Sequence, residues 1–207
     1  MGEPARKQTL SYADYLALEL SSEFKHEFHA GEIFAMSGGT PTHGFLGARC
    51  ISLLDRSLGP GACRVYSSDV RIFVAEVNEG CYPDLSVVCG RLTHDPRDPD
   101  AVTNPVAVVE VLSPGTESWD RGGKFARYKR IASLRDYVLV TVDSNRVEHF
   151  ARNDDGSWTY RDLGDGDVLR LSGAPAEVPV SELYAGVEDL RDGAESGPPG
   201  RSVGQTA

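Results

Sequence analysis

A chain of 207 residues with 40% hydrophobic and 25% charged content has the length and apolar share for one domain with a substantial core. No run approaches the ~18 apolar residues of a membrane span, and residues 1–9 lack the apolar stretch of a signal peptide, so a cytoplasmic protein away from the membrane is expected. A net charge of −10 excludes a general nucleic-acid-coating protein, which needs a broadly basic surface, but not an enzyme with a local basic groove.

In chain order, Ser11 and Asp14 form a capping-box pattern ahead of Tyr15, Leu16, Leu18 and Leu20, predicting a helix over 12–20. Residues 27–30 and 32–36 flank Gly31 as two short strands, and 37–42 is a Gly/Pro/Thr loop. His43 opens a second helix, with Phe45, Leu46, Ile51, Leu54 and Leu58 at helical spacing until Gly59-Pro60. From Arg64 the period becomes strand-like. Val70, Ile72 and Val74 alternate with Arg71, Phe73 and Ala75, which predicts a strand with two distinct faces. Residues 85–88 and 106–112 are continuously apolar, as central strands covered on both sides are.

A helix over 119–131 then leads to a strand over 136–142, a β-α-β order that implies a right-handed crossover if the strands are parallel. Residues 146–171 read as a peripheral β-meander with turns at 153–156 and 164–166. The order of elements predicts an α/β fold, one domain over 10–190 with a C-terminal meander extension. Residues 191–207, rich in Gly, Pro, Ser and charge, are expected to be a disordered tail. Cys50, Cys63, Cys81 and Cys89 contain no CxxC pair and have mostly apolar neighbours, the pattern of buried, reduced thiols.

Two acids stand out. Glu110 lies in the apolar run Pro105 to Pro114, where an uncompensated carboxylate would cost several kcal/mol or be forced to protonate. Asp84 follows Pro83 where the next apolar strand begins. If the two strands are neighbours, both acids converge at one end and offer hard oxygen ligands to Mg²⁺ or Mn²⁺. The plainer alternative pairs Glu110 with a buried Arg or Lys and leaves Asp84 capping a turn. After Ser113-Pro114, Asp120, Lys124 and Tyr128 recur at four-residue spacing on one helix face. A lysine beside two carboxylates can orient a water and offset charge on a phosphorane-like transition state; an exposed i, i+4 pair is the alternative. Between Glu117 and Arg135 six cations face two acids, so that segment carries +4 and the remainder −14.

The set Tyr82-Pro83-Asp84, Val109-Glu110-Val111-Leu112-Ser113-Pro114, Asp120 with Gly123-Lys124 and Tyr128, and 136–140 resembles the Uma-two family. That family is a restriction-endonuclease-like branch of the PD-(D/E)XK superfamily. Glu27, Gly31-Glu32-Ile33, Ala35-Met36-Ser37 and His43 match it too, and the resemblance covers residues 10–189. The resemblance implies a central mixed β-sheet flanked by helices, with metal ligation by Asp84, Glu110 and the Val111 carbonyl. In the superfamily pattern a lysine follows the Glu by two residues; here that position is Leu112, and Lys124 on the helix takes the role.

Glu27 is either a further ligand or base, or a strand residue paired with Lys25 or Arg71. His43 is either a phosphate contact or proton shuttle, or a polar helix start. Arg121, Arg127 and Tyr128 are candidates for substrate phosphate. The expectation is a Mg²⁺- or Mn²⁺-dependent DNA endonuclease, possible as a homodimer because cutting a duplex takes two centres or one repositioned. A DNA-binding or assembly module without turnover is the alternative. A P-loop is excluded because Ser118 and Phe125 occupy required positions around Gly122-Gly123-Lys124. The spacing of His26 and His29 in a strand makes them poor partners for one metal.

Overall fold

The computed structural model describes residues 9–36 and 38–195. Helix α1 (Tyr12–Ser21) begins on the expected capping box: the Asp14 amide donates to the Ser11 hydroxyl at 3.2 Å, and the Ser11 amide donates to the Asp14 carboxylate at 2.9 Å. Strands β1 (His26–His29) and β2 (Glu32–Ala35) form a hairpin through Ala30 and Gly31, both at positive φ, as a tight two-residue turn requires. Helix α2 (Pro41–Leu58) opens two residues before His43, because Thr40 accepts the His43 amide at 3.2 Å and Pro41 suits the first helical position. His43 therefore sits in the first turn of the helix.

The central sheet has six strands in the order β10-β9-β8-β7-β6-β3. They are β3 (Cys63–Ser67), β6 (Leu85–Cys89), β7 (Ala107–Val111), β8 (Asp136–Val140), β9 (Val147–Arg152) and β10 (Trp158–Leu163). The β7–β8 pair is parallel and every other pair antiparallel, so the sheet is mixed as expected. A second sheet, β2-β1-β5-β4, adds β4 (Ile72–Val74) and β5 (Glu79–Cys81). The crossover from β7 to β8 is a broken helix: α3 (Glu117–Trp119), a π-helical turn (Asp120–Lys124) and α4 (Phe125–Tyr128).

Alternation along β7 sets the two cores. Val109 and Val111 pack toward α2 with Leu46, Leu54, Leu85 and Val138. Val108 and Leu112 pack on the other face with Tyr128, Leu134 and Tyr137. Glu110, between Val108 and Leu112 on that second face, is thereby pointed at the broken helix.

Several expectations need correction. The meander is not peripheral: β9 and β10 continue the central sheet, and only β11 (Val168–Arg170) leaves it, to pair with β12 (Glu177–Pro179). The strand expected around 70–75 is confined to Ile72–Val74, and its two faces are distinct as expected: Ile72 and Val74 pack with Tyr128 and Tyr137, and Phe73 packs on the other side with Tyr12 and Tyr15. The helix expected over 119–131 spans 117–128 and is interrupted by the π turn at Gly122-Gly123. Cys63 and Cys89 face each other across β3 and β6 and are joined in a disulfide, so only Cys50 and Cys81 are the buried free thiols expected. Position 191 does not start a disordered tail: Arg191 lies in α6 (Glu188–Glu195), which follows α5 (Val180–Tyr184), and donates to the Val142 carbonyl at 2.7 Å. The rest of that expected tail, 196–207, lies outside the described residues. Among the described residues no helix is long and apolar enough to cross a membrane.

Candidate active site

A cleft of about 600 Å³ opens at the C-terminal end of β7, between the start of α2, the β1–β2 hairpin and the broken helix. Register brings its acids together. Leu85 pairs with Val109, so Asp84 falls beside Glu110 one step further on, where antiparallel strands place neighbours on a shared edge. The Val111 amide donates to Asp84 Oδ2 at 2.7 Å, and the Asp84 amide approaches Glu110 Oε2 at 3.3 Å. Asp84 is thus oriented by the amide of the residue that follows Glu110, and Glu110 by the amide of Asp84.

Lys124 reaches the same place from the broken helix. Its Nζ is 3.2 Å from Glu110 Oε1, 3.2 Å from Asp120 Oδ1 and 3.8 Å from Glu27 Oε1. Leu112, in the position where the superfamily pattern has its lysine, is packed in the core with Tyr128 and Tyr137. Tyr128 donates to Glu110 Oε1 at 3.2 Å, and the Tyr137 hydroxyl holds the Asp120 carbonyl at 2.8 Å. The four-residue spacing of Asp120, Lys124 and Tyr128 does place all three toward Glu110.

Glu27 belongs to the cleft. Its carboxylate accepts the Tyr82 amide at 3.0 Å and meets His29 Nε2 at 3.0 Å, rather than the Lys25 or Arg71 of the plainer alternative. The other ring nitrogen of His29 faces Glu79 at 3.5 Å. His43 Nε2 lies 3.4 Å from Asp84 Oδ2. Its ring is seated against Gly39, where a Cβ would come within 2.7 Å of Nδ1.

Electrostatics follow from burial and company. Glu110 is 2% exposed, and desolvation drives its carboxyl well above the ordinary range; Lys124 opposes this, but Asp84, Asp120 and Glu27 add to it. Burial alone would lower the Lys124 ammonium, yet Glu110, Glu27, Asp120 and Asp84 outweigh it and hold the proton firmly. Burial likewise favours a neutral Glu27, but the His29 contact and Lys124 take its carboxyl below the usual value. The Asp84 contact raises the His43 imidazole, with the Val111 main chain adding to the effect.

Glu27, His43, Asp84, Glu110, Val111 and Lys124 therefore share one cleft. The three phosphate candidates do not. Tyr128 is fully buried and spends its hydroxyl on Glu110. Arg121 is paired with Glu117 and Glu148. Arg127 is paired with Glu79 and lies over the Trp119 ring, 4.3 Å from its centroid. Sequence reading missed Phe34 and Trp119, which also line the cleft; Trp119 adjoins Asp120 in the chain, whereas Phe34 meets Glu27 only through hairpin pairing and gave no signal. Among the described residues no three His, Cys, Asp or Glu side chains are grouped as a metal cage.

Residues 12–180 match the model of the Uma2 family, described as "Putative restriction endonuclease". Two proteins of Synechocystis sp. are similar. "Uncharacterized protein slr1290" is 37% identical over 181 residues, 86% of this chain and 93% of that protein. "Uncharacterized protein sll1609" is 32% identical over 169 residues, 81% and 96% respectively. The crystal structure of a "putative nuclease belonging to DUF820" from Anabaena variabilis superposes with a TM-score of 0.70 over 86% of this chain and 99% of that one. At 15% identity, that likeness speaks for the fold alone.

Proposed function

The chain belongs to the Uma2 family, and from that premise we propose that it is a divalent-metal-dependent endonuclease hydrolysing DNA phosphodiester bonds through Asp84, Glu110 and Lys124. The observation that carries the reading is the charge imbalance: Glu27, Asp84, Glu110 and Asp120 crowd one cleft against a single lysine. Burial and the neighbouring acids raise the Glu110 carboxyl above its ordinary range, and a carboxylate so placed in a cleft is a natural partner for a cation.

The donor chemistry fits a hard cation. Two carboxylates, Asp84 and Glu110, with the Val111 carbonyl, are the kind of partial oxygen set that Mg²⁺ or Mn²⁺ completes with water. Bound there, such an ion supplies Lewis acidity to a phosphoryl oxygen and a more acidic water. The chain's own groups do the rest. The Val111 amide and the Tyr128 hydroxyl fix Asp84 and Glu110. Lys124, held charged, offsets negative charge developing on the phosphorus oxygens. Glu27 and Asp120 hold Lys124 in place, and His43 beside Asp84 is the group able to move a proton near neutral pH. A cytoplasmic setting and a homodimer belong to the same proposal.

Glu110→Ala is expected to abolish Mg²⁺- or Mn²⁺-dependent cleavage of DNA while circular dichroism stays native; cleavage at the wild-type rate would sink the reading. Mn²⁺ calorimetry adds an independent readout, with saturable binding in wild type and none in the variant. Leu112, standing where the superfamily has lysine, favours a second reading, a DNA-binding module without turnover. Salt-sensitive DNA binding with no cleavage under any divalent ion would be its signature.

A further inference from the structure

We infer that Trp119 and Phe34 form a stacking platform for an unpaired nucleobase at the cleft mouth, so that the substrate is single-stranded or locally unpaired nucleic acid rather than intact duplex. The inference rests on the nuclease reading and names the substrate class of that same site. The two aromatics are 38% and 47% exposed, come from different elements, and line one cleft. Their rings lie 5.3 and 5.7 Å from the ring of buried His29, which sets them around a common point.

Both are tied to the carboxylates. Phe34 pairs with Glu27 across the hairpin, and Trp119 immediately precedes Asp120. Trp119 is also held ready. A Cβ on Gly123 would come within 2.2 Å of its ring, so the indole lies directly on the glycine, and the Arg127 guanidinium lies 4.3 Å from the ring centroid. Holding an exposed aromatic this way adds little to the core, whereas a preset π-face is what a nucleobase of any sequence can stack on.

Charge and size point to the same occupant. A chain of net charge −10, with four acids in the cleft, gives a duplex backbone little general attraction. Affinity has to come from contacts to uncharged bases. A cleft of about 600 Å³ is on the scale of a small-ligand site, with room for a nucleotide but not for a duplex. Bases reach such sites only when unstacked.

The test uses the full chain with Trp158→Phe, which leaves Trp119 as the sole tryptophan, and Glu110→Gln, without divalent ions. A short single-stranded oligonucleotide is expected to quench Trp119 emission saturably. The same sequence as a duplex, and an abasic strand of equal charge, should bind at least about tenfold more weakly. By fluorescence anisotropy, Trp119→Ala should weaken single-strand binding about tenfold or more. Gly123→Ala, which displaces the indole and leaves every carboxylate in place, should do the same. Equal binding of duplex or abasic strand, or unchanged affinity in both variants, overturns the inference. So does a concentration-dependent dimer abolished by Phe34→Ala, which would assign the aromatics to a second copy of the chain. Base-dependent quenching, together with no cleavage by the wild-type chain under Mg²⁺ or Mn²⁺, would leave the platform standing and remove the nuclease reading. Cleavage of duplex with no preference for single strands would do the reverse.

Discussion

Two buried charge clusters lie on either side of the β1–β5 pair, and they are built on opposite rules. Beneath the small sheet, Arg71 grips Asp98 with two parallel bonds of 2.8 and 2.6 Å and donates a third, of 2.6 Å, to the Tyr82 hydroxyl. Tyr12 donates to Asp98 at 2.6 Å, and Tyr82 donates on to Glu19 at 2.7 Å. Each charge there has an opposite partner and each hydroxyl a use. In the cleft, four carboxylates share Lys124, His29 beside Glu27 and the edge of His43, and Asp120 Oδ1, though buried, accepts no well-formed hydrogen bond. A closed network stabilises the fold because its desolvation is repaid within it; an acid-rich one leaves attraction over for something that arrives.

The largest expected effect comes from opening the closed cluster. Asp98→Asn keeps the shape but strands the Arg71 guanidinium, and should destabilise the protein by about 3–5 kcal/mol in urea unfolding near neutral pH. The acid side of the same measurement sharpens it. Burial would raise the Asp98 carboxyl, but the Arg71 fork and the Tyr12 hydroxyl outweigh that and set it below the ordinary carboxylate value. Its contribution is therefore present above the unfolded value of about 3.9 and is lost as pH falls through the lower folded value. The gap between wild type and Asp98→Asn should narrow over that acid window. A gap that stays constant would mean the pair carries no linked proton.

A smaller effect on stability, with a large one on activity, is expected for Lys124→Met. It removes the cation from among the acids, but Glu110 can then take up a proton, toward which burial and its acid neighbours already drive it, whereas the Arg71 stranded by Asp98→Asn cannot lose its charge. A loss of about 2 kcal/mol follows, less than for Asp98→Asn. Cleavage should fall by about a hundredfold or more, in the range seen when a preorganised charge is removed from a transition state. Wild-type turnover by this variant would show that Lys124 only balances charge, and would erase the functional half of the contrast.

These two clusters also differ in how far the sequence reveals them. Glu110 was legible because a carboxylate inside an apolar strand must be answered by something, and Asp84 because it opens the neighbouring strand. Lys124 was legible from helical spacing, although the π turn that aims it was not: Gly122-Gly123 reads simply as a weak point in a helix. Arg71 and Asp98 gave no such signal. Asp98 lies in a loop without periodicity, and its partner is set by tertiary packing alone, as is the Cys63–Cys89 bond. The meander was recognised as strands but placed outside the sheet, since the alternation of β9 does not say which edge it joins. Phe34 and Trp119 were passed over for a related reason: an aromatic in a short amphipathic segment reads as core until the structure shows it at a mouth.

The smallest expected change is the isosteric counterpart in the cleft, Asp120→Asn. Asp120 is as buried as Asp98, and the substitution removes the same charge with the same shape. Yet Lys124 keeps Glu110 at 3.2 Å and Glu27 at 3.8 Å, and the bond from Tyr137 goes to the Asp120 main chain rather than its side chain. What is lost is one ion-pair partner; what is gained is one fewer like charge near Glu110, whose carboxyl Asp120 helps to raise. These oppose each other, so stability should move by less than about 1 kcal/mol in either direction. Urea unfolding of Asp98→Asn and Asp120→Asn side by side is then a direct measure of the difference between a satisfied buried acid and a surplus one. If Asp120→Asn costs as much as Asp98→Asn, the cleft is a closed network after all, and its excess of carboxylate is holding the fold rather than waiting for a cation.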